Sequence, residues 1–206
     1  MDGLSALQAA LVEAGLSGGM RRDHPIGALT TYRVGGPAAG FVRPADEGEL
    51  EAVAGAAATV GVEVLVVGRG SNLLVADRGF AGLAVQLGTG FESVDVSGTS
   101  VTAGGATSLP VLARRTVADG LAGFEWAVGV PGSIGGAVRM NAGGHGSDMS
   151  SVLVTATTLD LATGVVRVRP ADGLALGYRS SDIGASEVVT SAELRLTVGE
   201  RVVGEE

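Results

Sequence analysis

The chain has 206 residues, 46% of them hydrophobic, which is enough for one domain or two small lobes with a real core and excludes a disordered chain. It has no cysteine, and all 14 basic residues are arginine, which excludes disulfides, thiolate nucleophiles, a Walker-type phosphate loop and a Schiff-base lysine. The net charge of −8 argues against nucleic acid as the main partner.

Helices and strands alternate in the first half of the chain. Leu4, Leu7 and Leu11 have helical spacing, which predicts an N-terminal helix within residues 1–19. Asp46 and Glu49 have the spacing of a capping box, which predicts a helix start. The remaining predicted elements are an irregular stretch at 17–44, a helix at 47–60 that ends at Gly61, a strand at 62–67 that is buried on both faces, and a strand at 83–87.

The second half of the chain is richer in strands. Ser108, followed by Pro110, predicts the start of a helix that stops at Gly120. Strands are predicted at 93–96, 100–103, 151–159, 165–169 and 188–198, the last with clear apolar–polar alternation. We therefore expect an α+β chain of two lobes, with an N-terminal helix at 1–19, lobes at 20–88 and 89–199, and a solvated tail at 200–206.

A glycine-rich turn follows the predicted strand at 62–67. It comprises Gly68, Arg69, Gly70, Ser71 and Asn72. Glycine lets backbone N–H groups point at a ligand without interference from Cβ, so this turn is typical of an anion nest for a phosphate. The third glycine of a dinucleotide fingerprint is missing, and the chain is expected to continue as a strand. A plain turn between two strands remains the alternative.

A second glycine-rich stretch spans 129–143 and contains five glycines in fifteen residues. Its Pro131-Gly132 turn leads to Ser133, which is placed to cap a short helical segment whose N-terminus faces an anion. Together the two glycine-rich stretches could clamp one extended ligand. The alternative is a crossover that packs the two lobes closely.

Arg179 follows Gly177 and Tyr178 in a third polar segment. Its planar guanidinium suits a carboxylate or a phosphate, although a plain exposed loop arginine is the alternative. His24 and His145 are the only histidines and cannot form a His-ligated zinc site without carboxylates, so no metal is expected. Trp126 is expected to anchor the core.

Taken in order and spacing, these segments resemble the UDP-N-acetylenolpyruvoylglucosamine reductase (MurB) family. The resemblance covers about residues 20–199. The segments that carry it are Thr30–Ala38, Gly68–Asp77, the run from Gly120 to Gly146, and Gly177-Tyr178-Arg179 with Ser181. It implies the two-lobed FAD-binding fold of the vanillyl-alcohol-oxidase and p-cresol-methylhydroxylase type.

The resemblance also implies a function and a set of site residues. NADPH would reduce bound FAD, which would reduce the enolpyruvyl group of a nucleotide sugar during peptidoglycan synthesis. Arg179 matches the family's catalytic arginine, and Tyr178 would contact the substrate. The residues implied to bind FAD are Gly68, Arg69, Gly70, Ser71, Asn72, Leu73, Gly129, Pro131, Gly132, Ser133, Gly135, Gly136 and Asn141.

The chain departs from the family pattern in two places. The family's Asn-Ala-Gly-Ala-Tyr-Gly becomes Asn141-Ala142-Gly143-Gly144-His145-Gly146, which puts the role of that tyrosine in doubt. No segment after Val198 matches the family's Gly-Ser-x-Phe-x-Asn-Pro segment with its proton-donor serine, so we expect only the flavin-binding portion here. The alternatives are a non-catalytic flavin- or nucleotide-binding module and a related flavin oxidoreductase with another substrate.

The expected location is the cytoplasm. No apolar run approaches the roughly 18 residues that a transmembrane helix needs, and the acidic Met1-Asp2 start is unlike a secretory signal. No membrane contact and no obligate protein partner are expected.

Overall fold

A computed structural model describes residues 3–16 and 18–199. It divides into two compact units. The first comprises Met1–Phe91, Leu159–Arg167 and Gly184–Val188, and the second comprises Glu92–Thr158, Val168–Ile183 and Val189–Glu206. The first boundary lies close to the one expected near residue 89, but the return of two later segments to the first unit was not predicted from sequence. The expected tail at 200–206 lies outside the described residues.

The first unit contains two helices and a four-stranded sheet. Its elements are α1 (Gly3–Glu13), β1 (Arg21–His24), β2 (Ala38–Val42), α2 (Glu47–Val60), β3 (Val64–Val66) and β4 (Phe80–Val85). The strand order is β1-β2-β4-β3, with β1 antiparallel to β2 and the other pairs parallel. The β2–α2–β3 crossover is therefore a βαβ unit with β4 inserted between its strands.

Three sequence expectations for this unit were wrong. Residues 17–44 are not irregular throughout, because β1 and β2 lie within them. The side chains of β3 are half-buried rather than buried on both faces. Residues 72–75 form no strand and run on as a loop from the turn. Short apolar runs do not distinguish a buried strand from an edge strand, and β3 ends the sheet.

The predicted cap of α2 is confirmed. The Glu49 N–H donates to Asp46 Oδ1 at 2.9 Å. Glu49 Oε2 in turn accepts from the N–H of Ala45 at 2.7 Å, one residue before the usual partner in a capping box. The helix ends at Gly61 in the left-handed region, at φ 70°, as its position in the sequence predicts.

The second unit contains two further helices and most of the strands. Its elements begin with β5 (Val94–Ser97), β6 (Ser100–Gly104), α3 (Leu109–Ala118), β7 (Leu121–Ala122), α4 (Ile134–Arg139), β8 (Gly143–Gly144) and β9 (Ser147–Asp148). They continue with β10 (Leu153–Asp160), β11 (Val166–Pro170), β12 (Glu187–Arg195) and β13 (Thr197–Val198). The end residues 159–160 of β10, 166–167 of β11 and 187–188 of β12 belong to the first unit. The main sheet has the order β11-β10-β12-β6-β5.

Aliphatic side chains pack the core of the second unit, together with the aromatic pair Phe124 and Trp126. These two rings meet edge to face at 5.2 Å between centroids. Trp126 is 5% exposed, so its expected place in the core is confirmed. Trp126 lies in a short 3-10 turn, Glu125–Gly129, that packs against α3, and the second glycine-rich stretch begins at the end of this turn.

Among the described residues, no helix combines the length and the hydrophobicity that crossing a bilayer requires. Nor do these residues contain a group of three or more His, Cys, Asp and Glu side chains that would hold a metal ion.

Candidate functional site

The first glycine-rich turn presents backbone donors. Within residues 3–16 and 18–199, the N–H groups of Arg69, Gly70 and Asn72 have no acceptor. Gly70 adopts φ 73°, the left-handed conformation that one residue of an anion nest requires. Gln86 fixes the start of the turn, because its Nε2 donates to the Gly68 carbonyl at 2.7 Å. Backbone N–H groups without acceptors in this turn favour the binding of an anion.

Gly70 itself has an internal role that the sequence did not reveal. A Cβ added there would lie 2.1 Å from the carbonyl oxygen of Leu29. The glycine is therefore required by the close approach of the chain's own backbone, in addition to any ligand. Loss of a ligand from a bulky variant at this position would not by itself locate that ligand.

The second glycine-rich loop is partly closed by internal hydrogen bonds. The N–H of Ile134 donates to Thr107 O at 2.9 Å, and the N–H of Gly135 donates to Gly105 O at 2.9 Å. Two of the donors at the start of α4 are therefore unavailable to a ligand. The expectation that Ser133 caps this segment with its side chain is wrong, since Ser133 occupies the N-cap position without a side-chain bond.

Two donors of the loop remain available. In the described part of the chain, neither the Ser133 hydroxyl nor the Gly136 N–H has a hydrogen-bond partner. The two lie together, because a Cβ added at Gly136 would be 3.8 Å from Ser133 Oγ and would meet nothing closer. Gly136 is exposed, so a ligand could reach its N–H, whereas Ser133 is only 4% exposed.

Arg179 lies in a two-residue hairpin turn. Gly177 and Ser180 exchange hydrogen bonds of 3.0 and 3.3 Å, and Tyr178 and Arg179 form the tip. Arg179 adopts φ 54°, a left-handed conformation that an arginine rarely takes. Tyr178 is 93% exposed, and the Arg179 guanidinium lies 5.7 Å from the centre of its ring. Strain held at an exposed polar tip is typical of a functional position.

A cavity of about 370 Å³ opens beside this turn within the second unit. Its lining consists of Asn141, Gly143, Gly144, Gly146, Ser147, Asp148, Ser151, Tyr178 and Arg179. Arg179 Nη2 donates to Gly143 O at 2.8 Å, and no described carboxylate forms an ion pair with it. A cation without a counterion at a cavity wall favours binding of an organic anion.

The segment that carries Arg179 is anchored at both ends. Ser181 Oγ donates to the carbonyl of Arg139, at the end of α4, at 2.7 Å. Arg169 Nη2 contacts both carboxylate oxygens of Asp182 at 2.7 Å and also donates to Gly173 O. These ties fix the backbone on either side of the hairpin tip.

The sequence analysis missed the polar side chains of the 147–151 segment. Asp148 lines the cavity, and its Oδ1 accepts from Ser150 Oγ at 2.6 Å. Ser147 and Ser151 join their hydroxyls at 2.9 Å. Only their nearness to Gly143–Gly146 in the sequence could have indicated them. His145, in contrast, is exposed and lies outside the cavity lining.

Comparison with known proteins gives a consistent result. Residues 38–169 match the model of the family described as FAD binding domain. The chain is 40% identical over 199 residues to a UDP-N-acetylenolpyruvoylglucosamine reductase of Azorhizobium caulinodans, covering 97% of this chain and 63% of that protein. A reductase of the same name from Paramagnetospirillum magneticum is 44% identical over 181 residues. The chain spans about three fifths of the length of these relatives.

Solved structures agree with this result. The crystal structure of UDP-N-acetylenolpyruvylglucosamine reductase (MurB) from Thermus caldophilus matches with a TM-score of 0.77 and 31% identity, covering 88% of this chain and 64% of that one. A Physcomitrella patens BBE-like protein matches with a TM-score of 0.65 at 20% identity, over 94% of this chain and 44% of that one, and so shares the fold alone. The predicted α+β, two-lobed FAD-binding fold is confirmed.

Proposed function

The chain belongs to the FAD binding domain family, and on that premise we propose that it is the flavin-binding portion of a UDP-N-acetylenolpyruvoylglucosamine reductase. The reaction would reduce the enolpyruvyl ether of a UDP-N-acetylglucosamine to UDP-N-acetylmuramate with NADPH. The proposal includes a cytoplasmic location, where NADPH and nucleotide sugars are available. The observation that carries it is the Arg179 guanidinium, held at a cavity wall by the Gly143 carbonyl and forming no ion pair with a described carboxylate, although Asp148 lines the same cavity.

The free donors of the chain fit a dinucleotide coenzyme. In the first unit the exposed N–H groups of Arg69 and Asn72 suit a diphosphate, because fixed amides bind anions without reorganising. In the second unit the Ser133 hydroxyl and the Gly136 N–H are the corresponding donors. The other residues predicted to contact FAD remain predictions: Gly68, Gly70, Ser71, Leu73, Gly129, Pro131, Gly132, Gly135 and Asn141. When bound, FAD supplies the hydride chemistry that no side chain of this protein can perform.

Arg179 would act on the substrate carboxylate. Its five N–H donors form a rigid fork, and one of them is used by Gly143. The remaining donors can hold the enolpyruvyl carboxylate and stabilise the negative charge that develops toward it as hydride reaches the alkene. Tyr178, at the exposed tip beside Arg179, is proposed to contact the same substrate. The turn that carries Arg179 is already ordered without a ligand, so substrate binding loses little conformational entropy of the protein.

The test separates coenzyme binding from reduction. The purified chain is mixed with FAD, and NADPH is added in the absence of oxygen. The absorbance of the flavin at about 450 nm is followed, because loss of this band reports reduction of the flavin. UDP-N-acetylglucosamine enolpyruvate is then added and the return of the band is measured. The same steps are repeated with a version extended through the downstream coding sequence.

We expect FAD to bind to the chain and the extended version to complete both half-reactions. Bound FAD that NADPH reduces but this enolpyruvyl substrate never reoxidises, in either version, would favour an oxidoreductase with another substrate. Bound FAD that NADPH fails to reduce would favour a non-catalytic flavin-binding module. Failure to bind FAD in both versions would overturn the proposal.

A further inference from the structure

Asn141 uses its side chain entirely within the protein. Its residue is 4% exposed. Its Nδ2 donates to Gly177 O at 3.0 Å and to Asp148 Oδ2 at 3.2 Å, while its Oδ1 accepts from the N–H of Ser150 at 2.9 Å. Both of its N–H donors are therefore occupied. This leaves little capacity for the coenzyme contact predicted from sequence.

Of the groups bonded to Asn141, the Gly177 carbonyl is the one that connects it to the turn carrying Arg179. Gly177 opens the two-residue turn, so the same carbonyl also accepts from the N–H of Ser180 at 3.3 Å. The turn holds Arg179 in the left-handed region, which costs free energy for a residue with a Cβ. A turn under strain relaxes unless its ends are held. Asn141 holds one end from a position 36 residues earlier in the chain.

Asn141 is itself braced. It adopts φ 38°, directly after the C-terminal end of α4, and its amide bridges that end of the helix to the 147–151 segment and to the Arg179 turn. Asp148, which also lines the cavity, keeps the amide oriented by accepting one of its two donors. The orientation of the amide is therefore determined by the network: its nitrogen must face two oxygens, and its oxygen must face an N–H.

We propose that Asn141 is a positioning residue that holds the Arg179 guanidinium at the cavity wall through the Gly177 carbonyl. The proposal rests on the proposed function only in taking the bound anion to be the substrate carboxylate. Small displacements of a charged group reduce transition-state stabilisation steeply, by about 100-fold for 1 Å. Loss of the Asn141 side chain is therefore expected to act mainly on Arg179.

Two substitutions at Asn141 separate the amide from the backbone. Asn141→Asp keeps the shape of the side chain and the oxygen that accepts from the Ser150 N–H. It removes the two N–H donors that bond Gly177 O and Asp148 Oδ2, and it places a second carboxylate against Asp148. Asn141→Gly removes the side chain and its three hydrogen bonds but suits the left-handed backbone and adds no charge. His145→Gly is the matched control, because His145 is also left-handed, at φ 53°, in the same segment but lies outside the cavity lining.

The first measurement does not depend on catalysis. Phenylglyoxal modifies accessible guanidinium groups, and peptide mapping by mass spectrometry gives the modification rate at Arg179 in the FAD-loaded protein. We expect Asn141→Gly and Asn141→Asp to raise that rate about fivefold, the population change expected from loss of the single bond to the Gly177 carbonyl, which both substitutions remove. His145→Gly should leave it unchanged. An unchanged rate at Arg179 together with weakened FAD affinity would overturn the proposal and make Asn141 a coenzyme contact.

The second measurement is a double-mutant cycle in the extended, FAD-loaded protein. Asn141→Gly should lower kcat for reoxidation by the enolpyruvyl substrate by about 10- to 100-fold. In an Arg179→Ala background, Asn141→Gly should lower kcat less than about twofold, because the guanidinium that Asn141 positions is absent. Equal losses in the two backgrounds would contradict positioning. If the unchanged protein does not turn over this substrate, the proposed function fails, while the phenylglyoxal rates still decide the role of Asn141.

Discussion

Arg179 donates a 2.8 Å hydrogen bond from Nη2 to the carbonyl oxygen of Gly143, 36 residues earlier in the chain. A neutral carbonyl orients the guanidinium without neutralising it, whereas a carboxylate in the same place would compete with an anionic ligand. A side chain at Gly143 would clash with the 147–148 backbone, since an added Cβ would lie 2.5 Å from Ser147 O. The β8–β9 hairpin thus supplies an acceptor whose position is tightly constrained.

Two substitutions of Arg179 separate the strain of its backbone from the role of its guanidinium. Arg179→Gly relieves the left-handed strain at φ 54° and should stabilise the fold by up to about 1 kcal/mol relative to Arg179→Ala. Both variants should bind FAD normally and reduce the enolpyruvyl substrate about 10²- to 10⁴-fold more slowly. Urea unfolding, flavin titration and single-turnover reoxidation are the measurements. Loss of FAD in parallel with turnover would show that Arg179 holds the coenzyme instead.

Gly136→Ala tests whether the second glycine-rich loop meets FAD. The added methyl group has room in the chain alone, at 3.8 Å from Ser133 Oγ, and alanine favours a helix over glycine by up to about 1 kcal/mol. We therefore expect a more stable apoprotein with weaker FAD affinity, measured by thermal unfolding and flavin titration. Gly135→Ala is the comparison, because its Cβ would lie 3.1 Å from Gly105 O and Val189 O and should destabilise the apoprotein. Unchanged FAD affinity in Gly136→Ala would exclude a close flavin contact there.

Arg69→Glu tests the first turn. Arg69 is exposed, so the substitution should leave stability unchanged while placing a carboxylate beside the N–H groups that we propose bind the diphosphate of FAD. We expect FAD affinity to fall about tenfold, and the loss to shrink as salt is raised. Arg78→Glu makes the same charge change at another exposed position of the first unit and is the control. If the two variants lose affinity equally, general charge rather than the turn is responsible.

His24 should make the first unit sensitive to mild acid. Burial lowers the pKa of His24, and the nearby Arg21 lowers it further, while its ring stacks on Phe41 at 4.1 Å. The unfolded chain therefore takes up the proton first, so stability is complete above the unfolded pKa of about 6.5 and is lost as pH falls from there through the lower folded value. The urea concentration at the midpoint of unfolding should fall when the pH is lowered from above to below about 6.5, and this fall should be larger in the wild type than in His24→Phe. Arg21→Gln should show an intermediate shift, and identical shifts in all three proteins would rule out His24 as the source.

Local signals in the sequence were sufficient where one short segment decides its own conformation. The Asp46 and Glu49 cap and the Gly61 stop were predicted correctly, because both depend on hydrogen bonds within a few residues. The interpretation of Ser133 as a side-chain cap was wrong. The segment 105–107 is distant in sequence, and it supplies the acceptors for the first donors of α4.

Apolar periodicity and turn residues by themselves determined the two-unit α+β organisation, because these patterns depend on the order of residues along the chain. The expectation of FAD and the role of Arg179 came from the resemblance of four motifs, in order and spacing, to the reductase family. Only the tertiary structure decided which donors are free and which are already bonded. Ile134 and Gly135 lose theirs to the chain's own carbonyls, Gly70 is required by Leu29, and Asn141 turns its amide toward Gly177. The physical reason is that a hydrogen bond is satisfied by proximity in space, and the partners here lie far apart in sequence.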